Sequence, residues 1–480
     1  MKRLSASFKL LDNLFENTDK TIVPTPFNWL YSSAPNFKIK GDQIAILHEP
    51  KDFYDELLER CRTSQNRIIF SSLYLGCGSK EEKLVSVIES RLKNTSSNLQ
   101  VSILLDANRG SRGEKNSRHI LLPLLLYQKN CQVSLFHSPN LRGPLKQILP
   151  TRFNELLGLQ HMKFYIFDNS VLITGANLSH DYFTNRQDRY ILILNCKPLA
   201  DFLAGLVECV SQISFQLDQD NNVSLPEKSK FHPFNDSKEE YVKAGHDLIW
   251  NYFVNSMHTE GTPAEEESES DTVIFPLLEM PPFEIHHDSV ITKHLLDMAP
   301  AGAEIHLATG YFNLTNEYVD SLVNRSKAAV KILMAHPTAN GFLNAAGVAG
   351  GVPYAYTTLA SNFLHYIERH QATNRIQIFE FLRSGWTFHS KGLWYTLPQE
   401  STPHLTLIGS SNFGSRSVTK DLEMQVAIVT TNSKLREVLA QERDRLYQSG
   451  VPFTREVADS PSRRSPLWVR STSRIFKNYF

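Results

Sequence analysis

The sequence predicts an α/β protein made of two homologous units related by an approximate twofold. Three observations predict it. A His-x-Lys motif occurs twice, at His161-Met-Lys163 and His389-Ser-Lys391, each followed by a Gly, an Asn and an acid. Strand and helix patterns recur in the same order on both sides of a polar, acidic stretch. The length, 480 residues, suits two ordinary domains and a tail.

The reading divides the chain into a leader (1–40), a first unit (41–215), a linker that carries a helix (216–272), a second unit (273–455) and a basic, aromatic tail (456–480). The first eleven residues are basic and acid-free, with Leu4, Phe8 and Leu11 at helical spacing. They suit an organelle-targeting segment or an ordinary amphipathic leader. In the first unit, Gln43–Leu47 reads as a strand and Phe53–Arg62 as a helix, with Phe53, Leu57, Leu58 and Cys61 on one face. Strands follow at Arg67–Tyr74, Gln100–Asp106, Gln132–Phe136 and Arg189–Leu194. A helix at Leu199–Ile213 turns Phe202, Leu203, Leu206, Val207 and Val210 inward.

The second unit repeats this order: a helix at Ile291–Met298, strands at Glu304–Tyr311, Val330–Met334, Ile376–Glu380 and Gln425–Val429, and a helix at Ser433–Tyr447. A repeat one domain long signals two units rather than a solenoid, whose period is ~20 to 50 residues. Between the units, Glu260–Asp271 is an acidic run that reads as solvated linker, and Glu239–Ser256 reads as a helix. The tail from Ser465 alternates basic and aromatic residues, which suits a membrane interface or docking on the core.

Formal net charge is zero, so no global field for nucleic acid exists and an anionic ligand must be met locally. The five cysteines lack CxxC spacing, which argues against a disulfide framework and a zinc site and for a reducing compartment. No apolar run approaches the ~20 residues that span a bilayer.

Side chains two apart on a strand share a face, so His161 and Lys163 are expected to point into one site, as are His389 and Lys391. Imidazole serves as nucleophile or proton carrier near neutral pH, and lysine supplies positive charge. Turns at Gly175 and Gly409 are placed to present the Asn177 and Asn412 amides to phosphate oxygens. Asp188 and Glu423 each lie eleven residues beyond those asparagines and read as orienting partners of the histidines, for their own half or the other.

The paired motifs resemble the phospholipase D superfamily signature, HxKxxxxD with a following Gly-Ser-x-Asn-like turn, once per half. The resemblance implies α/β/α sandwich units with mixed central sheets and an active site between them, and it places Asp168 in the catalytic set. The second copy departs from it: Thr396 stands at the Asp position, and the His-to-Asn gap is seven residues longer, which a hairpin tip near Leu397–Pro403 explains.

Longer blocks resemble the eukaryotic mitochondrial phosphatidylglycerophosphate synthases within that superfamily. They are Ser72–Gly76, Leu104–Asp106 with Arg109-Gly-Ser-Arg112, Arg152–His161, Gly175–Ser179, Asp181–Tyr190, Thr309–Thr315 and Trp386–His389. The likeness runs from about residue 40 to the end. It implies transfer of a phosphatidyl group from CDP-diacylglycerol to glycerol 3-phosphate with release of CMP, toward phosphatidylglycerol and cardiolipin. The implied setting is the matrix side of the mitochondrial inner membrane, with peripheral membrane contact.

Two imidazoles, two ammonium groups and two amides meet the needs of that chemistry without a metal, although divalent-cation stimulation stays open. His161 is expected as nucleophile, forming a phosphohistidine, and His389 as acid and then base. Arg109, Arg112, Arg186, Arg189 and Arg416 are candidates for the acceptor phosphate. The loop Ser71-Ser72-Leu73-Tyr74-Leu75-Gly76-Cys77-Gly78 lacks the Gly-Lys-Ser/Thr ending of a P-loop, which argues against ATP; contact with the CDP moiety and plain strand termination are the alternatives. Rival functions are a nuclease, disfavoured by neutral charge, a cardiolipin or phosphatidylserine synthase, a phospholipase, and an inactive lipid-binding scaffold.

Overall fold

The computed structural model describes residues 22–94, 98–143, 157–227, 229–257, 269–343 and 350–466. The targeting reading of the leader, the stretch 152–156, most of the acidic run and the tail beyond residue 466 lie outside the described residues.

In the first half the strands are β1 (Phe37–Ile39), β2 (Ile44–Leu47), β3 (Arg67–Ser71), β4 (Gln100–Asp106), β5 (Cys131–Phe136) and β6 (Phe164–Phe167). They continue with β7 (Ser170–Thr174), β8 (Arg186–Gln187), β9 (Tyr190–Ile193), β10 (Phe215–Leu217) and β11 (Val223–Ser224). The second half holds β12 (Thr272–Met280), β13 (Ile285–His286), β14 (Glu304–Thr309), β15 (Ala329–Ala335) and β16 (Ile376–Phe381). It closes with β17 (Thr387–Phe388), β18 (Gly392–Thr396), β19 (Leu405–Gly409), β20 (Glu423–Thr430) and β21 (Gly450–Pro452).

One sheet runs β11-β10-β5-β4-β3-β6-β7-β9-β2 and the other β21-β16-β15-β14-β18-β19-β20-β12-β1. The duplication is therefore topological. In both sheets three parallel strands (β3, β4, β5 and β14, β15, β16) join an antiparallel run through β6 or β18. Strands covered on both faces need continuous apolar runs, and β6, β7, β9, β12, β18, β19 and β20 are buried along their whole length.

One face of the first sheet packs under the helices Pro50–Thr63, Ser79–Leu92 and Ser117–Leu125. The helix Pro50–Thr63 has Pro at its start, a Glu49/Asp52 capping box, and Phe53, Leu57, Leu58 and Cys61 buried as the spacing predicts. The other face shares one core with the second half: Phe164, Ile166, Val171 and Ile191 cluster with Leu393, Leu407 and Val426.

Boundaries differ from the sequence reading in two places. Residues of the expected leader belong to the second unit, because Phe27 and Leu30 are buried, Phe27 packs edge-on against Tyr395 at 5.1 Å, and β1 pairs with β12. Within the expected linker, β10 and β11 extend the first sheet. The linker helix is present as Lys238–Ser256, docked through Tyr252, whose hydroxyl donates to the Phe202 carbonyl at 2.8 Å. Strand β12 and the helices Ser79–Leu92 and Val352–Arg369 are absent from the sequence reading. For the last, Tyr356, Ala360, Phe363, Leu364 and Ile367 carry a helical stripe that could have revealed it.

Candidate active site

Each half hands its acid to the other. His161 Nδ1 lies 2.9 Å from Glu423 Oε2, and His389 Nδ1 lies 2.7 Å from Asp188 Oδ2. Backbone pairing fixes the exchange. The His161 amide donates to the Leu422 carbonyl at 2.9 Å, and the His389 amide donates to the Gln187 carbonyl at 2.8 Å. A bridge joins Gln160 to Leu422, and the short parallel pair β8–β17 joins Gln187 to Phe388. The histidines and lysines thus sit just ahead of β6 and β18 rather than inside strands, because the backbone there is recruited across the twofold.

The lysines fold back on their own motifs. Lys163 Nζ donates to the His161 carbonyl and Lys391 Nζ to the His389 carbonyl, both at 2.6 Å. Gly175 makes room for the crossing, since a methyl group there would lie 2.9 Å from Lys391 Cδ and 2.8 Å from Asp188 Oδ1. Asn177 Nδ2 donates to the Tyr182 hydroxyl at 3.0 Å. The Asn177 and Asn412 amide oxygens are buried with no hydrogen-bond partner, the kind of unmet capacity that marks functional sites.

Burial governs the electrostatics. It lowers Lys163 to about 7, helped by the Lys391 charge, and Lys391 to about 8, helped by Arg186. Burial works to raise Glu423, but the His161 and Lys163 charges outweigh it and hold the carboxyl down to about 2. Burial lifts Asp188 to about 6 against the pull of Lys391. Both imidazoles are pushed below their usual range by burial. For His161 the Glu423 carboxylate opposes this; for His389 the charges of Lys391, Arg186 and Lys163 add to it.

No protein-family model matches the chain. Its sequence is 42% identical to the human mitochondrial CDP-diacylglycerol–glycerol-3-phosphate 3-phosphatidyltransferase, over 95% of this chain and 86% of that protein. The chain belongs to the CDP-diacylglycerol–glycerol-3-phosphate 3-phosphatidyltransferase family. A Saccharomyces pastorianus member is 32% identical over 88% of this chain and 84% of its own length. In fold, the chain matches a phosphatidylserine synthase of Haemophilus influenzae with a TM-score of 0.71 at 18% identity, covering 94% of this chain and 96% of that one. That likeness is one of fold, spanning both duplicated sheets.

Several expected site residues of this phosphatidyltransferase lie elsewhere. Asp168 sits in the β6–β7 turn at φ 51°, where its carboxylate accepts from the backbone amides of Gln65, Asn66 and Arg67 at 2.7–3.1 Å. It ties that turn to the start of β3 instead of joining His161. Thr396, the second-half counterpart, ends β18 ahead of a longer hairpin loop.

Arg189 is not a ligand-facing cation. It is buried and bonded twice at 2.8 Å to Glu442, with Nη1 on the Leu407 carbonyl at 2.8 Å and the guanidinium 3.8 Å over the Trp394 ring. Gly392, at φ 141°, leaves the space, because a methyl group there would lie 2.0 Å from Arg189 Nη1.

The loop Ser71–Gly78 carries no phosphate cradle. Methyl groups on Gly76 and Gly78 would meet the buried Glu81 carboxylate at 2.6 and 2.8 Å, so the loop wraps an anion of its own. Ser71 and Ser72 are engaged by the Gln160 amide at 3.0 and 3.1 Å.

Of the other arginines, Arg186 lies close enough for its charge to act on His389 and Lys391. Arg186 Nε donates to Thr387 Oγ1 at 3.0 Å with its guanidinium 4.7 Å over Tyr182. Arg109 and Arg112 lie on the turn after β4, Arg109 stacked 3.9 Å over Tyr74. Arg416 is clamped by Asp421 at 2.7 Å. His161, Asp421 and Glu423 gather donor atoms within 4.8 Å, the one set among the described residues that could hold a metal. Asp421 is already committed to Arg416 and the Leu159 amide, and Glu423 to His161 and Ser417.

Sequence reasoning overlooked Tyr182, Tyr311 and Ser417. Tyr182 and Tyr311 wall the His389 ring edge-on at 5.0 and 5.4 Å, and Ser417 Oγ donates to Glu423 Oε1 at 2.8 Å. Tyr182 and Ser417 each stand five residues after the conserved-offset asparagines Asn177 and Asn412, the same spacing logic that found the acids.

Proposed function

We propose that the chain performs its family's reaction in two displacements through a phosphohistidine at His161. The substrates are CDP-diacylglycerol and sn-glycerol 3-phosphate, and the products are phosphatidylglycerophosphate and CMP. One observation carries the assignment. His161 Nε2 has no hydrogen bond among the described residues while Nδ1 faces an ionised Glu423, whereas His389 Nε2 faces the Tyr182 hydroxyl at 3.3 Å. A nucleophile needs a free lone pair backed by an acceptor.

In the first step the His161 Nε2 lone pair bonds to the phosphorus bearing diacylglycerol, the P–O bond to CMP breaks, and His389 gives its proton to the departing phosphate. The negative charge of the bound donor favours that proton on His389. In the second step His389 takes the glycerol 3-phosphate hydroxyl proton, the oxygen attacks phosphorus, and the P–N bond returns its pair to His161. Lys163, Lys391, Asn177 and Asn412 hold the phosphoryl oxygens, with Arg186 and Arg416 nearest to serve the acceptor phosphate. No step calls for ATP or a metal.

The lipid side lies beyond Tyr311, whose ring is 5.6 Å from Phe342. Phe342, Leu343 and Tyr354 are exposed there, and we place peripheral membrane contact at this rim. No helix among the described residues is long and apolar enough to cross a membrane. Relatives named as mitochondrial support the same compartment for this chain; the matrix face is our own placement, which fractionation of tagged protein tests.

The activity is tested by supplying CDP-diacylglycerol in vesicles with glycerol 3-phosphate, serine, phosphatidylglycerol or water, with and without chelator. CMP and phosphatidylglycerophosphate forming only with glycerol 3-phosphate support the reading. Acceptor-independent CMP release indicates a hydrolase, and no release a scaffold.

A further inference from the structure

Beside the histidines, the pseudo-twofold that exchanges the acids breaks five residues beyond the asparagines. Five residues beyond each asparagine stand Tyr182 in the first half and Ser417 in the second. Ser417 Oγ accepts from the Asn412 backbone N–H at 3.1 Å and donates to Glu423 Oε1 at 2.8 Å, so it acts behind His161 and leaves Nε2 uncovered. Tyr182 instead reaches the front of the other histidine. Its hydroxyl accepts from Asn177 Nδ2 at 3.0 Å and lies 3.3 Å from His389 Nε2, with the two rings edge-on.

We propose that Tyr182 is a positioning residue that reserves His389 for proton transfer, by donating its hydroxyl to Nε2 while Nδ1–H is held by Asp188. The inference rests on the acid–base role given to His389 above. With the Asn177 amide donating to the phenol oxygen, the phenol proton is left to point at Nε2. Burial raises the phenol far above its ordinary range, so it keeps that proton and can offer it to Nε2 while its oxygen accepts from Asn177. A phosphate oxygen that claims the Asn177 amide removes one of the bonds fixing the phenol, which couples arrival of the donor to release of Nε2.

The groups facing His389 are Asp188 at Nδ1, Lys391 at 2.7–3.1 Å from the ring nitrogens, the rings of Tyr182 and Tyr311, and the charges of Arg186, Lys163 and His161. Of these, Lys391 Nζ at 3.1 Å and the Tyr182 hydroxyl at 3.3 Å both reach Nε2, and the phenol is the donor that stays uncharged on both sides of the Lys391 titration. A bond donated to Nε2 exists only in the neutral imidazole, so it holds the His389 pKa down, and its removal must raise that pKa.

The test is Tyr182→Phe in the full chain, which keeps the ring. The pH dependence of kcat/KM is measured for each substrate. Donor turnover needs protonated His389 and falls on the basic side, and acceptor turnover needs neutral His389 and falls on the acidic side. Both limbs should move upward together, by up to about one pH unit, the worth of one hydrogen bond. Fluorotyrosine at position 182, a stronger donor, should move both downward. Limbs that stay in place in both variants, whatever the rates, overturn the proposal. These limbs are read without reference to where phosphorus is held, so failure of the phosphohistidine scheme leaves this test standing.

Discussion

His389 takes its carboxylate from the opposite half of the chain, with Nδ1 2.7 Å from Asp188 Oδ2, and His161 is served in the same crossed manner by Glu423. Neither unit therefore contains a complete histidine–acid pair. Asp188→Asn and Glu423→Gln keep the shape but offer the imidazole the wrong partner. Each should lower kcat for CMP release by roughly 10²–10⁴-fold. A loss under threefold in either variant would show that the carboxylates only fill space.

Burial brings both lysines down to the range around neutral pH. Lys163 at about 7 and Lys391 at about 8 lose their charge as pH rises through those values, and an anion binds the charged forms. Sulfate, whose own charge is fixed in this range, should bind roughly tenfold or more weakly at pH 9 than at pH 6.5, the scale of one lost charged hydrogen bond. Calorimetric titration reads it directly, and Lys163→Met should flatten the lower part of the curve. Affinity independent of pH would mean that other cations hold the anion.

Asp168, which the motif places in the catalytic set, and Arg189, a candidate for the acceptor phosphate, should behave as structural residues. Arg189→Ala leaves Glu442 buried and unpaired and should destabilise the fold by roughly 3–5 kcal/mol. Asp168→Ala strips the acceptor from three backbone amides, at about 1–3 kcal/mol. Urea unfolding measures both, and activity per folded molecule should survive in each. Selective loss of acceptor affinity in Arg189→Ala would restore Arg189 to the site.

Much of this arrangement was legible in the sequence because duplication writes the same spacing twice. The His-Lys pairs, the asparagines and the acids at a common offset all meet at one place. What spacing could not convey was partner choice. Whether Asp188 serves His161 or His389 depends on the β8–β17 pairing, a contact between residues 201 apart. Arg189 was misread for the same reason, since Glu442 lies 253 residues away on a helix of the other half. Asp168 shows the opposite failure: the motif marks it truly, but as the residue that ties a turn. Val23, Phe27 and Leu30 were passed over because they fall in the Pro-rich stretch ahead of the first strand pattern, where no period marks them, yet they are buried in the core.

The assignment of His161 as nucleophile meets its most direct test in mapping the trapped intermediate. The chain is mixed with CDP-diacylglycerol labelled in the phosphatidyl phosphate, without acceptor, quenched in base to preserve the P–N bond, and its peptides are sequenced by mass spectrometry. Label should sit on His161 and vanish in His161→Ala. Label on His389 alone would reverse the two roles, and label on neither histidine would contradict the covalent scheme.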